Sequence, residues 1–133
     1  MNIAIMAHDR KKELMVQFCI AYCGILANHN ICATSTTGRL VAEATGLPIT
    51  LYLSGEQGGN QQIGARITYN EIDLVLYFCD PQMGESEESV NHIARLCDQY
   101  SIPFASNIAT AEILVCGLQR SDFDWRNIVN PLH

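Results

Sequence analysis

The chain has 133 residues, 48% of them hydrophobic and 17% charged, with a net charge of −6 at pH 7. That length suits one hydrophobic core, and the acidic balance argues against nucleic acid or an anionic membrane as partner. No apolar run approaches the roughly 20 residues that cross a bilayer.

Taken in order, Asn2 to Ala7 reads as a buried strand and Lys11 to Asn28 as one long apolar helix. Asn30 to Thr34 is a second strand. Thr37 to Thr45 is a short helix closed by Gly46 and Pro48. Ile49 to Leu53 is a third strand, followed by a loop rich in Gly and Gln and a helix from Gln61 to Asn70. Leu74 to Cys79 is the fourth strand; Asp80-Pro81 turns the chain into an acidic loop, and a helix runs from about Ser89 to Tyr100. Pro103 to Ala105 is a short fifth strand, Thr110 to Leu118 is helical, and the tail from Ser121 to Ile128 holds one more turn or strand. With no linker or low-complexity stretch, residues 1–133 are expected to form a single domain.

Five repeats of β-α predict an α/β three-layer sandwich, with a five-stranded, mostly parallel sheet and helices on both faces. The six cysteines contain no Cys-x-x-Cys pair and most sit in apolar runs, as buried reduced thiols do. No metal or cofactor is expected. The first strand begins at Asn2, so no leader is expected, and reduced thiols point to a cytoplasmic location.

Each strand ends in a polar cluster: Ala7-His8-Asp9, Thr34-Ser35-Thr36-Thr37-Gly38, Ser54 to Gln62, Cys79-Asp80-Pro81 and Ser106-Asn107. Right-handed crossovers put all the exits of a parallel sheet along one edge, which is where such folds bind ligands. Thr34 to Thr37 stand between a strand and a helix, so hydroxyls and helix N-terminal N–H groups can converge on one anion. A lone N-cap would explain one of those hydroxyls; four in a row point to phosphate. His8 and Lys12 add a carbonyl or phosphate contact, Asp9 and Asp80 add carboxylates, and Gly55, Gly58 and Gly59 permit close backbone approach. The partner expected is a small phosphorylated metabolite.

Over nearly its full length the chain resembles the methylglyoxal synthase family. The matching stretches are Ile5-Met6-Ala7-His8-Asp9, Thr34-Ser35-Thr36-Thr37-Gly38, Ala44-Thr45-Gly46-Leu47, Leu53-Ser54-Gly55, Gly58-Gly59-Asn60-Gln61-Gln62-Ile63-Gly64-Ala65, Asp80-Pro81 and Asn107-Ile108-Ala109-Thr110-Ala111-Glu112. The resemblance implies conversion of dihydroxyacetone phosphate to methylglyoxal and phosphate, without metal or organic cofactor, by a homohexamer. It also implies that His8, Lys12, Thr34, Ser35, Thr36, Thr37, Ser54 and Gly55 hold the substrate, with Asp9 and Asp80 nearby. Three departures stand out. Asn60 occupies the position of the family's catalytic aspartate, and Ser35 that of a glycine. The loop from Gln82 to Val90 lacks the family's substrate-contacting histidine, His92 lying beyond it; Asp80, Asp9 or a loop glutamate (Glu85, Glu87 or Glu88) would have to serve as the base. A binding module or sensor that retains the phosphate cup is the alternative reading.

Overall fold

The computed structural model describes residues 1–83 and 88–129, apart from the side chains of 127 and 129. Five strands, β1 (Asn2–Ala7), β2 (Asn30–Ala33), β3 (Ile49–Leu51), β4 (Leu74–Phe78) and β5 (Phe104–Ala105), form one sheet in the order β3-β2-β1-β4-β5. Every pairing is parallel. The helices are α1 (Lys12–Ala21), α2 (Cys23–Leu26), α3 (Ser35–Thr45), α4 (Gly59–Thr68), α5 (Glu88–Gln99), α6 (Ile108–Gln119) and α7 (Arg126–Val129).

The strand alternation accounts for the layers. Ile3, Ile5, Leu74, Leu76 and Phe78 point to one face, where they pack with Met15, Phe18 and Cys19 of α1, Val41 of α3 and Val115 of α6. Ala4, Met6, Val75 and Tyr77 point to the other, against Ile63 and Ile67 of α4 and Ile93 and Cys97 of α5. Strands covered on both sides must be apolar throughout, which is why β1 and β4 read as unbroken hydrophobic runs. Burial pushes the Cys19 and Cys97 thiols up to about 12, so they pack as neutral side chains. Among the described residues no helix is long and apolar enough to cross a membrane.

The expected long helix from Lys11 to Asn28 is divided. Tyr22 leaves helical geometry at φ −107°, ψ 19°, separating α1 from α2. Its ring turns onto Phe18 at a centroid distance of 4.8 Å, so aromatic packing holds the break. Three helices also begin two residues earlier than expected: α3 at Ser35, α4 at Gly59 and α6 at Ile108.

After β1 the chain moves outward through β2 to β3, then crosses to the other side of β1 for β4 and β5. The order therefore reverses between β1 and β4, and a crevice opens beyond their C-terminal ends. Ala7 pairs with Phe78 in register, and His8 N–H donates to Phe78 O at 3.0 Å, so the two exits lie side by side.

Candidate functional site

The crevice is a cavity of about 640 Å³ whose lining includes His8, Asp9, Lys12, Thr34, Thr36, Ser54, Gly55, Asn60 and Asp80. Nine of the residues singled out from sequence, drawn from four strand exits, thus meet at one place. Ser35 and Thr37 stand behind that surface, in the first turn of α3. Arg10, Glu56, Tyr77, Met83 and Ser89 line the cavity as well. A second cavity of about 490 Å³, with Tyr22, His29 and Leu118 in its wall, holds none of the strand-exit residues.

At one end lies α3. Thr34 is its N-cap, and the first helical bond runs from Gly38 N–H to Thr34 O at 2.8 Å. The N–H groups of Thr36 and Thr37 precede that bond and have no intrahelical acceptor. Ser35 N–H is used at 3.3 Å by Leu53 O, which brings the Ser54 loop against the helix start. Thr37 Oγ1 is buried without a hydrogen-bond partner. A buried hydroxyl left unpaired costs free energy on the order of 1–3 kcal/mol.

The Ser54–Gly59 loop is held from several sides. Gln62 Oε1 accepts from Leu53 N–H at 2.8 Å, and Gly59 N–H donates to Ser54 O at 2.8 Å. Gly58 has φ +108°, and a Cβ on Gly59 would lie 1.9 Å from Leu53 O. Only glycine fits both positions, so α4 can start at Gly59 and deliver Asn60 to the cavity.

Next to it, Asp80 N–H donates to His8 Nδ1 at 2.8 Å. Nδ1 is therefore the acceptor, and in the neutral ring the proton sits on Nε2. That Nε2 is buried and has no partner among the described residues. It is a second donor reserved for something bound. Asn60 Nδ2 donates to the Tyr77 hydroxyl at 3.1 Å within the buried wall.

The charged groups are already paired. Lys12 Nζ donates to Ala7 O at 2.9 Å and Asp9 Oδ1 at 2.8 Å, leaving its third N–H for a ligand. The hydrogen bond and charge of Lys12 hold the Asp9 carboxyl below its ordinary value. Asp9 itself points to solvent, its side chain 93% exposed. Asp80 is 9% exposed; one oxygen accepts from Gln82 N–H at 2.9 Å, and the other lies 3.8 Å from Arg10 Nε. Arg10 Nη1 also donates to Gln82 Oε1 at 2.6 Å, tying the turn after β1 to the turn after β4.

Of the residues in and after the altered loop, His92 lies in α5 with Nε2 3.5 Å from where a Gly64 Cβ would be, packed against α4. Glu88 opens α5 and is exposed. Glu85 and Glu87 lie outside the described residues. Sequence reasoning missed Tyr77, whose place in an apolar strand marks it as core, and Arg10, which reads as one cation among three. No group of three or more His, Cys, Asp or Glu able to hold a metal occurs among the described residues.

An open parallel sheet with helix-terminal and hydroxyl donors at its switch point defines an α/β protein with a polar crevice at the strand exits. The model of the MGS-like domain family matches residues 15–106. Methylglyoxal synthase from Caldicellulosiruptor saccharolyticus is 57% identical over 132 residues, covering 98% of this chain and 94% of that protein. The Geobacillus thermodenitrificans methylglyoxal synthase is 51% identical over 131 residues, 98% of this chain and 91% of its own length. Among solved structures, methylglyoxal synthase from Elizabethkingia anophelis NUHP1 superimposes with a TM-score of 0.77 at 35% identity, over 86% of this chain and 76% of that one. The chain belongs to the methylglyoxal synthase family.

Proposed function

We propose that the cavity binds a small phosphoester, dihydroxyacetone phosphate or a close analogue. Its phosphate meets the first turn of α3, Ser54 and Lys12, and its carbon end lies toward His8 and Asn60. The single observation carrying this reading is the convergence of His8, Lys12, Thr34, Thr36, Ser54 and Asn60 on one cavity, where the buried His8 Nε2 has no hydrogen-bond partner among the described residues. Family membership supports the reaction class, elimination of phosphate to give methylglyoxal.

In that reaction a base takes a C–H proton α to the ketone, the electron pair forms an enediolate, the C–O bond to phosphate breaks as phosphate leaves, and the enol so formed takes a proton on its terminal carbon to give methylglyoxal. Helix N–H groups, Lys12 and hydroxyls favour the departing dianion, and the His8 Nε2–H donor favours the enediolate oxygen. The proton-abstraction step is the weak one. By family resemblance the base belongs at position 60, and an amide there has no oxygen basic enough to take such a proton. Asp9 is turned to solvent and Asp80 is engaged on both oxygens. The elimination therefore runs slowly in this protein. A positioned base contributes roughly 10²- to 10⁴-fold, so Asn60→Asp is expected to raise methylglyoxal formation by about that factor. The test is methylglyoxal release from dihydroxyacetone phosphate by both proteins; equal rates in two folded, phosphate-binding proteins refute the assignment.

The same observation favours a second reading. A cavity whose buried carboxylate, Asp80, is paired, and whose Asp9 and Glu56 are exposed, suits a sensor of phosphorylated metabolites that binds without turnover. Saturable binding with no methylglyoxal above background selects it.

A further inference from the structure

We infer that Tyr77 is a positioning residue, acting through Asn60 to fix how the carbon end of a phosphoester is received. The inference rests on the phosphoester reading above and adds a residue that neither composition nor family resemblance marks.

Tyr77 lies one residue before the end of β4, on the face packed by α4 and α5. It is 4% exposed, and its hydroxyl accepts the Asn60 Nδ2 hydrogen bond at 3.1 Å. Its ring stands edge-on to His8, centroids 5.6 Å apart and planes at 71°. Asn60 from α4, Tyr77 from β4 and His8 from the exit of β1 thus form one connected row in the cavity wall. Tyr77 is the middle member.

Packing alone would accept phenylalanine here, since the ring supplies the contact to His8 and the apolar area. The hydroxyl needs a separate reason, because a buried phenol must find a polar partner. Asn60 is one such partner. The terminal torsion of an asparagine is broad and roughly two-fold, so an amide facing a cavity can present either its oxygen or its nitrogen to a ligand. The bond to Tyr77 spends one amide hydrogen and anchors the amide to the wall formed by β4. Asn60 Oδ1 and Nδ2 lie 3.6 and 3.8 Å from where a Gly55 Cβ would be, so the amide stands against the Ser54-Gly55 loop. Held between Tyr77 and that loop, the amide is fixed in place for the carbon end of the ligand. The phosphate end is built from other elements, the first turn of α3 and Lys12.

The test is calorimetric titration of the full chain with inorganic phosphate and with dihydroxyacetone phosphate. The proteins are the wild type, Tyr77→Phe, Asn60→Ala and the double variant, each checked for folding by its melting transition. If Tyr77 acts through Asn60, Tyr77→Phe weakens dihydroxyacetone phosphate binding by about three- to tenfold, the worth of one hydrogen bond. Inorganic phosphate affinity stays unchanged. In the Asn60→Ala background the Tyr77→Phe change has no further effect, because contacts that act as a unit are not additive. A merely structural tyrosine would weaken both ligands together. Wild-type affinity for dihydroxyacetone phosphate in Tyr77→Phe, or losses that add in the double variant, overturns the positioning role alone. Failure of the wild type to bind either probe overturns the phosphoester reading beneath it.

Discussion

The backbone N–H of Asp80 donates to Nδ1 of His8 at 2.8 Å, so the turn after β4 sets the tautomer of a side chain from the turn after β1. The two residues are 72 positions apart, and the bond exists only because β1 and β4 are parallel neighbours in register. It commits the Nε2 proton to the cavity. Nitrogen-15 spectra of the neutral protein should therefore find the His8 proton on Nε2, with Nδ1 unprotonated. A ring carrying its proton on Nδ1 would remove the donor from the site.

Lys12 shares its ammonium between Asp9 and the cavity, and this sets a pH dependence. Because the pair lowers the Asp9 pKa from 3.8, the interaction is fully present above that value and is lost as pH falls through the depressed folded one. Phosphate affinity should accordingly show no step from Asp9 between pH 5 and 8. Asp9→Asn, by freeing the ammonium of a counter-ion exposed to water, should raise phosphate affinity by about threefold at low salt with thermal stability unchanged. Titration of wild type and variant at two salt concentrations checks this; weaker binding by Asp9→Asn would mean that Asp9 itself contacts the ligand.

The opposite edge of the sheet carries the molecule's other buried charge. Arg126 of α7 and Asp73, just before β4, are both fully buried, with Nε and Oδ1 3.4 Å apart. Asp73 Oδ2 accepts from Asn2 N–H at 2.7 Å, and the guanidinium donates to the carbonyls of Ser101, Tyr100 and Ile72. One side chain thus ties the end of the chain to the entries of β1, β4 and β5. Removing one partner strands the other charge, so Arg126→Ala should lower stability by about 3–5 kcal/mol. Denaturant unfolding measures it; a loss below about 1 kcal/mol would show that the tail is dispensable to the fold.

Much of this architecture was legible in the sequence, for identifiable reasons. β1 and β4 declare themselves because they are covered on both faces, and the strand exits because a parallel sheet collects them. What escaped depends on contacts between distant segments. Tyr22 divides the first helix by packing on Phe18, while the surrounding apolar run shows no break. Gly58 and Gly59 look like loop residues, yet they allow α4 to begin early and bring Asn60 into the cavity. Asp9 lines the cavity beside His8, but its exposed carboxylate, set by the short helical turn at Asp9–Lys11, was not legible in the sequence. Arg126 and Asp73 are 53 residues apart, and nothing in the tail's composition marks an arginine that will be buried.

The reading of the cavity stands or falls on an anion at the start of α3. Inorganic phosphate titrated into the labelled protein, followed by amide nitrogen-proton spectra, reports that position directly. Saturable shifts centred on Thr36 and Thr37, with Ser54 and Gly55 moving in parallel, are the result expected from free N–H groups facing phosphate. Amides that stay fixed there while phosphate is saturating, or that move only at a remote surface, would contradict it.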